Sequence, residues 1–325
     1  LLWQGDIPAK FEVITVPVTS LTNHSRYRKF NDWVSDHLSH WPVDRVVGFN
    51  KMPGLDVYYA ADSCYEDKAQ TQRSRFYRSL PRYNLFSDFE KAVFGRSSIT
   101  EILMISPVQV PLFEKYYETQ QGRVHLLSPG IARDRIAPPD RLQIRRTFRA
   151  EMDIEGDEIL LLMIGSGFIT KGLDRTLIAV SSLPEELKRK TRLIVIGQDS
   201  PGHFVRMAKR LGIDECLTIF KGRDDIPRFL MGADLLIHPA YVENTGTVLL
   251  EAIVAGLPVI ATDVCGYAHY IEEAGAGELI PSPFQQETFN GMLHSMITSS
   301  QRETWSDNGI SFAQTADIYD IDRKS

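Results

Sequence analysis

Cysteine is scarce in this sequence: Cys64, Cys216 and Cys265 stand far apart in a chain of 325 residues, and no C-x-x-C pair occurs. That excludes a disulfide framework and a zinc site of ordinary ligand spacing, and leaves buried or idle thiols in a reducing compartment. Long hydrophobic runs are missing too. No apolar stretch approaches the roughly 20 residues that cross a bilayer, and the opening LLWQGDIPAKF has neither the charged nor the apolar region of a signal peptide. A cytoplasmic location is expected. Nor is positive charge in excess: the net charge is −6, whereas a chain that neutralises many phosphates is basic overall, so general nucleic-acid binding is not expected. Any affinity for anions must be local.

What is present is a rhythm of short apolar, β-branched runs alternating with longer amphipathic segments. FEVITVPV, RVVGF, ITEILMIS and RVHLL form a first series; EILLLMIG, TRLIVIG, CLTIF, DLLIHPA and PVIAT form a second. Such alternation predicts α/β structure, with parallel strands and crossover helices on both sheet faces. The length exceeds what one compact core holds, so two doubly wound domains are expected. Between the series lies SPGIARDRIAPPDRLQIRRTF, rich in Pro and Arg without a strand pattern until Glu158, which places a linker near residues 130–140 and domains at 1–135 and 136–325. The chain starts at Leu1, on what reads as a strand end running into a turn at Gly5 and Asp6. The tail FAQTADIYDIDRKS is amphipathic and then stops without a cap signal. Both ends read as those of a fragment.

In open α/β sheets ligands bind beyond the carboxyl ends of strands. EILLLMIG ends in Gly165, Ser166 and Gly167, followed by Thr170, Lys171, Gly172 and a helical pattern from Leu173. Glycines admit a ligand close to the backbone, a helix N-terminus favours anions and Lys171 adds a full charge, which suits a diphosphate; glycines that serve only turn geometry are the competing explanation. Two further strands end at Gly197 and near Gly222 and Arg223, where a flat ring can lie against loop backbone, although Arg223 also reads as a solvated loop residue. The most informative run is DLLIHPAYVENTGTVLLEAIVAGLPVIAT, which parses as strand, loop, helix, turn and strand. Glu243 falls in the loop, Asn244, Thr245, Gly246 and Thr247 open the helix, and Glu251 lies inside it. At about 1.5 Å per residue this offset spans roughly 12 Å, close to the distance from a nucleotide's ribose to the hexose beyond its diphosphate. Two carboxylates flanking helix N–H groups match sugar hydroxyls, phosphates and ribose hydroxyls.

On these residues, and on TNHSRYRKFNDWV, DRVVGFNKMPGLDVYYAADSCY, GSGFITKGLDR and GLPVIATDVCGYAHYI, the sequence resembles the retaining GT-B glycosyltransferases with the E-x7-E motif. The similarity is greatest to members that transfer glucose from UDP-glucose to inner-core heptose of lipopolysaccharide. The resemblance covers nearly the whole chain. It implies two Rossmann-like domains with the active site in the cleft between them. It also implies Lys171 on the donor diphosphate, Glu251 on the ribose, Glu243 on the transferred glucose, loop backbone near Arg223 on the uracil and Arg135 reaching the phosphates. Asp62, in AADSCY, would face the reacting centre; its competing reading is a cap for the next helix. No cofactor and no metal are expected, since no Asp-x-Asp motif accompanies these strand ends. Front-face attack would leave the protein chiefly to stabilise charge on the departing UDP.

Two departures from the family pattern stand out. Thr170 occupies a position where an arginine is expected, and the family's first strand, glycine-rich loop and helix would precede Leu1. A chain without them is expected to be unstable or inactive.

Residues 72–86, QRSRFYRSLPRYNLF, carry Arg73, Arg75, Arg78 and Arg82 without an acidic residue, interleaved with Phe76 and Tyr77. Basic and aromatic side chains together suit an anionic membrane surface, with a solvated basic loop or an acceptor-phosphate site as alternatives. A glycolipid acceptor would require such docking, at the inner face of the cytoplasmic membrane. Competing functions are a nucleotide-sugar epimerase on the same fold and a degenerate module that binds nucleotide or membrane without catalysis.

Overall fold

A computed structural model describes residues 10–319; the anticipated strand end and turn at residues 1–6, and the end of the tail at residues 320–325, lie outside it. The chain divides into two compact units, Leu1–Met104 with Gln109–Leu126, and Ile105–Val108 with Leu127–Ser325, so the division comes ahead of residue 135.

The first unit carries β1 (Val47–Gly48), β2 (Val57–Ala60), β3 (Glu101–Met104) and β4 (Val124–Leu126), all parallel and in that order across the sheet. Alternation sets its core: Tyr58 and Ala60 from β2 and Ile102 and Met104 from β3 are buried against Phe89, Val93 and Phe94 of the helix Pro81–Phe94 and Phe113 of the helix Val110–Tyr117. Phe94 and Phe113 stack with centroids 3.6 Å apart. The run FEVITVPV, expected as a strand, is irregular here. A strand must find partners for its N–H and C=O groups; among the described residues no strand lies beside this one, and Phe11, Val13 and Ile14 are exposed.

Glu90 organises the helix Tyr65–Thr71 from within this core. Its fully buried carboxylate pairs with Lys51 and accepts from Tyr65 N at 2.8 Å, Glu66 N at 2.9 Å and the Tyr117 hydroxyl at 2.7 Å. A distant side chain thus satisfies the orphan N–H groups that a helix start presents.

The second unit contains β5 (Ile159–Ile164), β6 (Thr191–Ile196), β7 (Leu217–Phe220), β8 (Leu235–His238), β9 (Val259–Thr262) and β10 (Gly277–Ile280). The order is β10-β9-β8-β5-β6-β7, all parallel. Successive residues feed opposite cores: Leu160 and Leu162 point to one face, Leu161 and Met163 to the other, and both faces are closed by helices. That is why these strands read as continuous apolar runs. The segment expected as a linker holds the helix Arg141–Glu151, whose arginines mask its apolar stripe; Phe148 meets Phe229 edge-on at 4.9 Å between centroids. Strand order reverses between β5 and β8, so the loops after these two strands flank the switch point where α/β sheets bind ligands.

Candidate active site

The loop after β5 runs from Gly165 to the helix Leu173–Ser181, and the expected helix start at Leu173 is the observed one. Gly172 adopts φ +79°, and a Cβ there would lie 2.1 Å from the Pro239 carbonyl oxygen, so this position is closed to any other residue by shape as well as conformation. Gly197 has a packing explanation as well, because a Cβ would meet Phe168 at 2.5 Å and the Gly165 carbonyl oxygen at 2.8 Å. Ser166 Oγ accepts from Gln198 N at 3.0 Å, joining the loops after β5 and β6. Thr170 Oγ1 donates to the Gly167 carbonyl at 2.8 Å; in place of the anticipated cation there is a hydroxyl that closes the turn.

The loops after β5 and β8 are stitched together. Tyr241 N donates to the Thr170 carbonyl at 2.8 Å, and the Tyr241 hydroxyl donates to Asp174 at 2.7 Å. Arg175 donates to the carbonyls of Pro239 and Ala240 at 3.0 and 3.1 Å, while its guanidinium is sandwiched between the rings of Tyr241 and Phe284 at 3.5 and 3.6 Å.

Lys171 and Glu243 meet across this seam as an ion pair, both largely buried. The same carboxylate oxygen, Oε2, lies 3.2 Å from Nε2 of His238, the last residue of β8. Burial holds the Lys171 ammonium below the usual lysine range. Burial, helped by the Lys171 charge, pushes His238 from 6.5 down to about 3, so its imidazole is neutral. Burial also pushes the neighbouring Cys265 thiol up to about 11.

Beyond Glu243 the chain turns through Asn244 and Thr245, whose carbonyl accepts from Tyr267 N at 2.7 Å, and enters the helix Thr247–Val254 at Gly246, φ +83°. Glu251, inside that helix, accepts from Arg135 Nε at 3.2 Å, and Arg135 also reaches Asp134 at 2.8 Å. Burial raises the Glu251 pKa, and Arg135 pulls it back. Arg135 and Glu251 are thus partners, a relation the sequence reading did not contain. Arg223 is tied through Nε and a terminal nitrogen of its guanidinium to Asp225, at 2.7 and 2.9 Å. Among the described residues no group of three or more His, Cys, Asp or Glu side chains is placed to hold a metal ion.

Asp62 lies in the first unit, exposed, two residues after β2. It does not cap the next helix, whose N-cap is Cys64 and whose first N–H groups go to Glu90. In the same unit Arg73, Arg75, Arg78 and Arg82 are exposed, and among the described residues none forms an ion pair. Arg75, Phe76, Tyr77 and Arg78 share the short helix Arg75–Ser79, in which Phe76 is 85% exposed while the Tyr77 hydroxyl is held by Tyr65 at 2.8 Å.

Sequence reasoning passed over His238 and Arg175. The signal for His238 was one polar residue closing an apolar strand beside the switch point. For Arg175 there was none, since its two aromatic partners lie far along the chain.

The family profile described as "Glycosyl transferases group 1" matches residues 144–312, which take in the doubly wound second sheet and the cations and carboxylates at its switch point. The chain belongs to this family and is a hexosyltransferase of the GT-B fold. It is 45% identical, over 99% of its length and 87% of the relative's, to the lipopolysaccharide glucosyltransferase WaaG of Escherichia coli strain K12. The crystal structure of WaaG, a glycosyltransferase involved in lipopolysaccharide biosynthesis, superposes with a TM-score of 0.91 at 45% identity, covering 98% of this chain and 86% of that one. A D-inositol 3-phosphate glycosyltransferase of Catenulispora acidiphila is 30% identical over 51% of this chain and 40% of its own. A sucrose-phosphate synthase from Thermosynechococcus elongatus shares the fold, with a TM-score of 0.71 at 18% identity over 92% of this chain and 76% of that one.

Proposed function

We propose that this glycosyltransferase moves glucose from UDP-glucose to a heptose of the lipopolysaccharide inner core, with retention of configuration and without a metal. The observation that carries the reading is the 45% identity over 99% of the chain with the E. coli lipopolysaccharide glucosyltransferase. The site supports it residue by residue. Lys171 and Arg135 supply positive charge for the diphosphate, Glu251 and Glu243 supply acceptors for ribose and hexose hydroxyls, and the helix starting at Thr247, whose start has no side-chain cap, lies between them. With the acceptor hydroxyl entering on the face from which UDP leaves, the enzyme's main task is to stabilise the departing diphosphate, each cation or donor contributing about 2 to 4 kcal/mol. Asp62 is the candidate on the acceptor side.

The acceptor is a glycolipid, and the exposed arginines with Phe76 are proposed to hold the protein on the anionic inner face of the cytoplasmic membrane. The deciding assay combines purified protein, isotopically labelled UDP-glucose and lipopolysaccharide ending in inner-core heptose. One added hexose with an α linkage by NMR, unchanged in EDTA, is the expected product. UDP-glucose consumed without an acceptor to give an epimer, or UDP bound with no turnover, would replace the proposal with an epimerase or a binding module. Co-sedimentation with anionic vesicles, lost when the four arginines become Ser, checks the docking segment.

A further inference from the structure

We infer that His238 is a positioning residue that keeps the Glu243 carboxylate in place when a donor diphosphate draws Lys171 away. The inference rests on the proposed reading of Glu243 as the hexose contact. Lys171 Nζ and His238 Nε2 both engage Oε2 of Glu243, and among the described residues no protein donor is seen on Oε1. One oxygen is therefore anchored and the other is available. The lysine anchor is conditional, because its ammonium and the carboxylate neutralise each other only until a diphosphate competes for the same cation. Once Lys171 turns to phosphate, the histidine is the side chain still holding Glu243.

His238 suits that task. It ends β8 and is 1% exposed, so its ring is fixed by the sheet and by the core around it. Its Nδ1 is buried without a hydrogen-bond partner. A buried N–H without an acceptor is costly, which places the single proton of the neutral ring on Nε2, facing Glu243. A neutral donor orients the carboxylate without cancelling its charge, which stays whole for the sugar hydroxyls. A second cation at this point would quench it.

The test compares His238→Leu, His238→Gln and Glu243→Gln. Gln can present an N–H near the position of Nε2; Leu fills similar volume with no donor. For His238→Leu the expected result is a fall in kcat of about 100-fold from misplacement of the carboxylate, with UDP affinity and Tm close to those of His238→Gln. His238→Gln recovers most of the turnover. A residue that serves only packing would lower Tm and weaken UDP and UDP-glucose binding together in both variants, and that outcome overturns the inference. If Glu243→Gln is crippled while His238→Leu turns over normally, only the inference about His238 fails; if Glu243→Gln is fully active, the donor-site reading fails first. Should Leu prevent folding, the parent protein answers: NMR of 15N-labelled imidazole with UDP-glucose bound must show the Nε2–H neutral tautomer from pH 8 to 5. An Nδ1–H tautomer, or titration within that range, excludes the role.

Discussion

The two sheets of this protein are built by one rule and finished differently. In the second unit β8 and β9 are buried at every position, and the two faces of β5 feed two separate cores. In the first unit β1 and β4 expose Val47 and Leu126, and among the described residues a single core lies against the sheet. The second sheet is held chiefly by apolar area. The first depends in addition on one buried polar hub, Glu90, which ties a helix start, a lysine and a tyrosine. A polar hub is sensitive to single substitutions, because removing one partner leaves the others buried and unsatisfied.

Predictions follow that contrast from the largest effect down. Lys171→Ala should reduce kcat/KM for glucose transfer by about 100- to 1,000-fold, the loss typical of one cation or donor at a developing charge. The fold should persist by calorimetry with a lowered Tm, since the vacated carboxylate loses its countercharge but keeps the His238 contact. Equal loss of stability and activity would mean that the pair holds the fold, not the donor. Glu90→Gln should destabilise the first unit by about 3 kcal/mol, read as an early, separate unfolding transition, while UDP binding to the second unit persists. A single cooperative transition would erase the contrast between the units. In Glu251→Gln, KM for UDP-glucose should rise about tenfold with kcat preserved, as expected when binding common to ground and transition states is removed.

The last effect concerns pH and is confined to acid. His238 titrates at about 3 in the fold against 6.5 outside it, so the unfolded chain binds the extra proton between those values. The stability this group contributes is complete above pH 6.5 and is lost progressively as pH falls toward 3. Lys171 and Glu243 face the ring and are matched in the parent and in His238→Gln; the Tm of His238→Gln should fall less steeply below pH 6.5 than that of the parent.

Legibility divided along the same line as the architecture. Runs such as EILLLMIG announced buried parallel strands because their apolar side chains meet a core on either face, and Lys171, Glu243 and Glu251 drew attention as candidates because they follow such strands. In the first unit FEVITVPV carried the same local signal, yet among the described residues no strand lies beside it, and local composition does not report pairing. The helix Arg141–Glu151 was hidden by its arginines, two of which turn inward to Asp234. Pairings between residues far apart in the chain, Lys51 with Glu90 or Arg135 with Glu251, have no periodicity from which to be read.

The seam between the loops after β5 and β8 has a mechanical consequence. With Thr170, Asp174 and Arg175 on one side bonded to residues 239–241 on the other, a displacement of either loop carries its neighbour along. The separation of Lys171 from Glu243 is thereby buffered against motions that shift both loops together. What a donor must overcome is the reach of two side chains, over a backbone that moves as one piece.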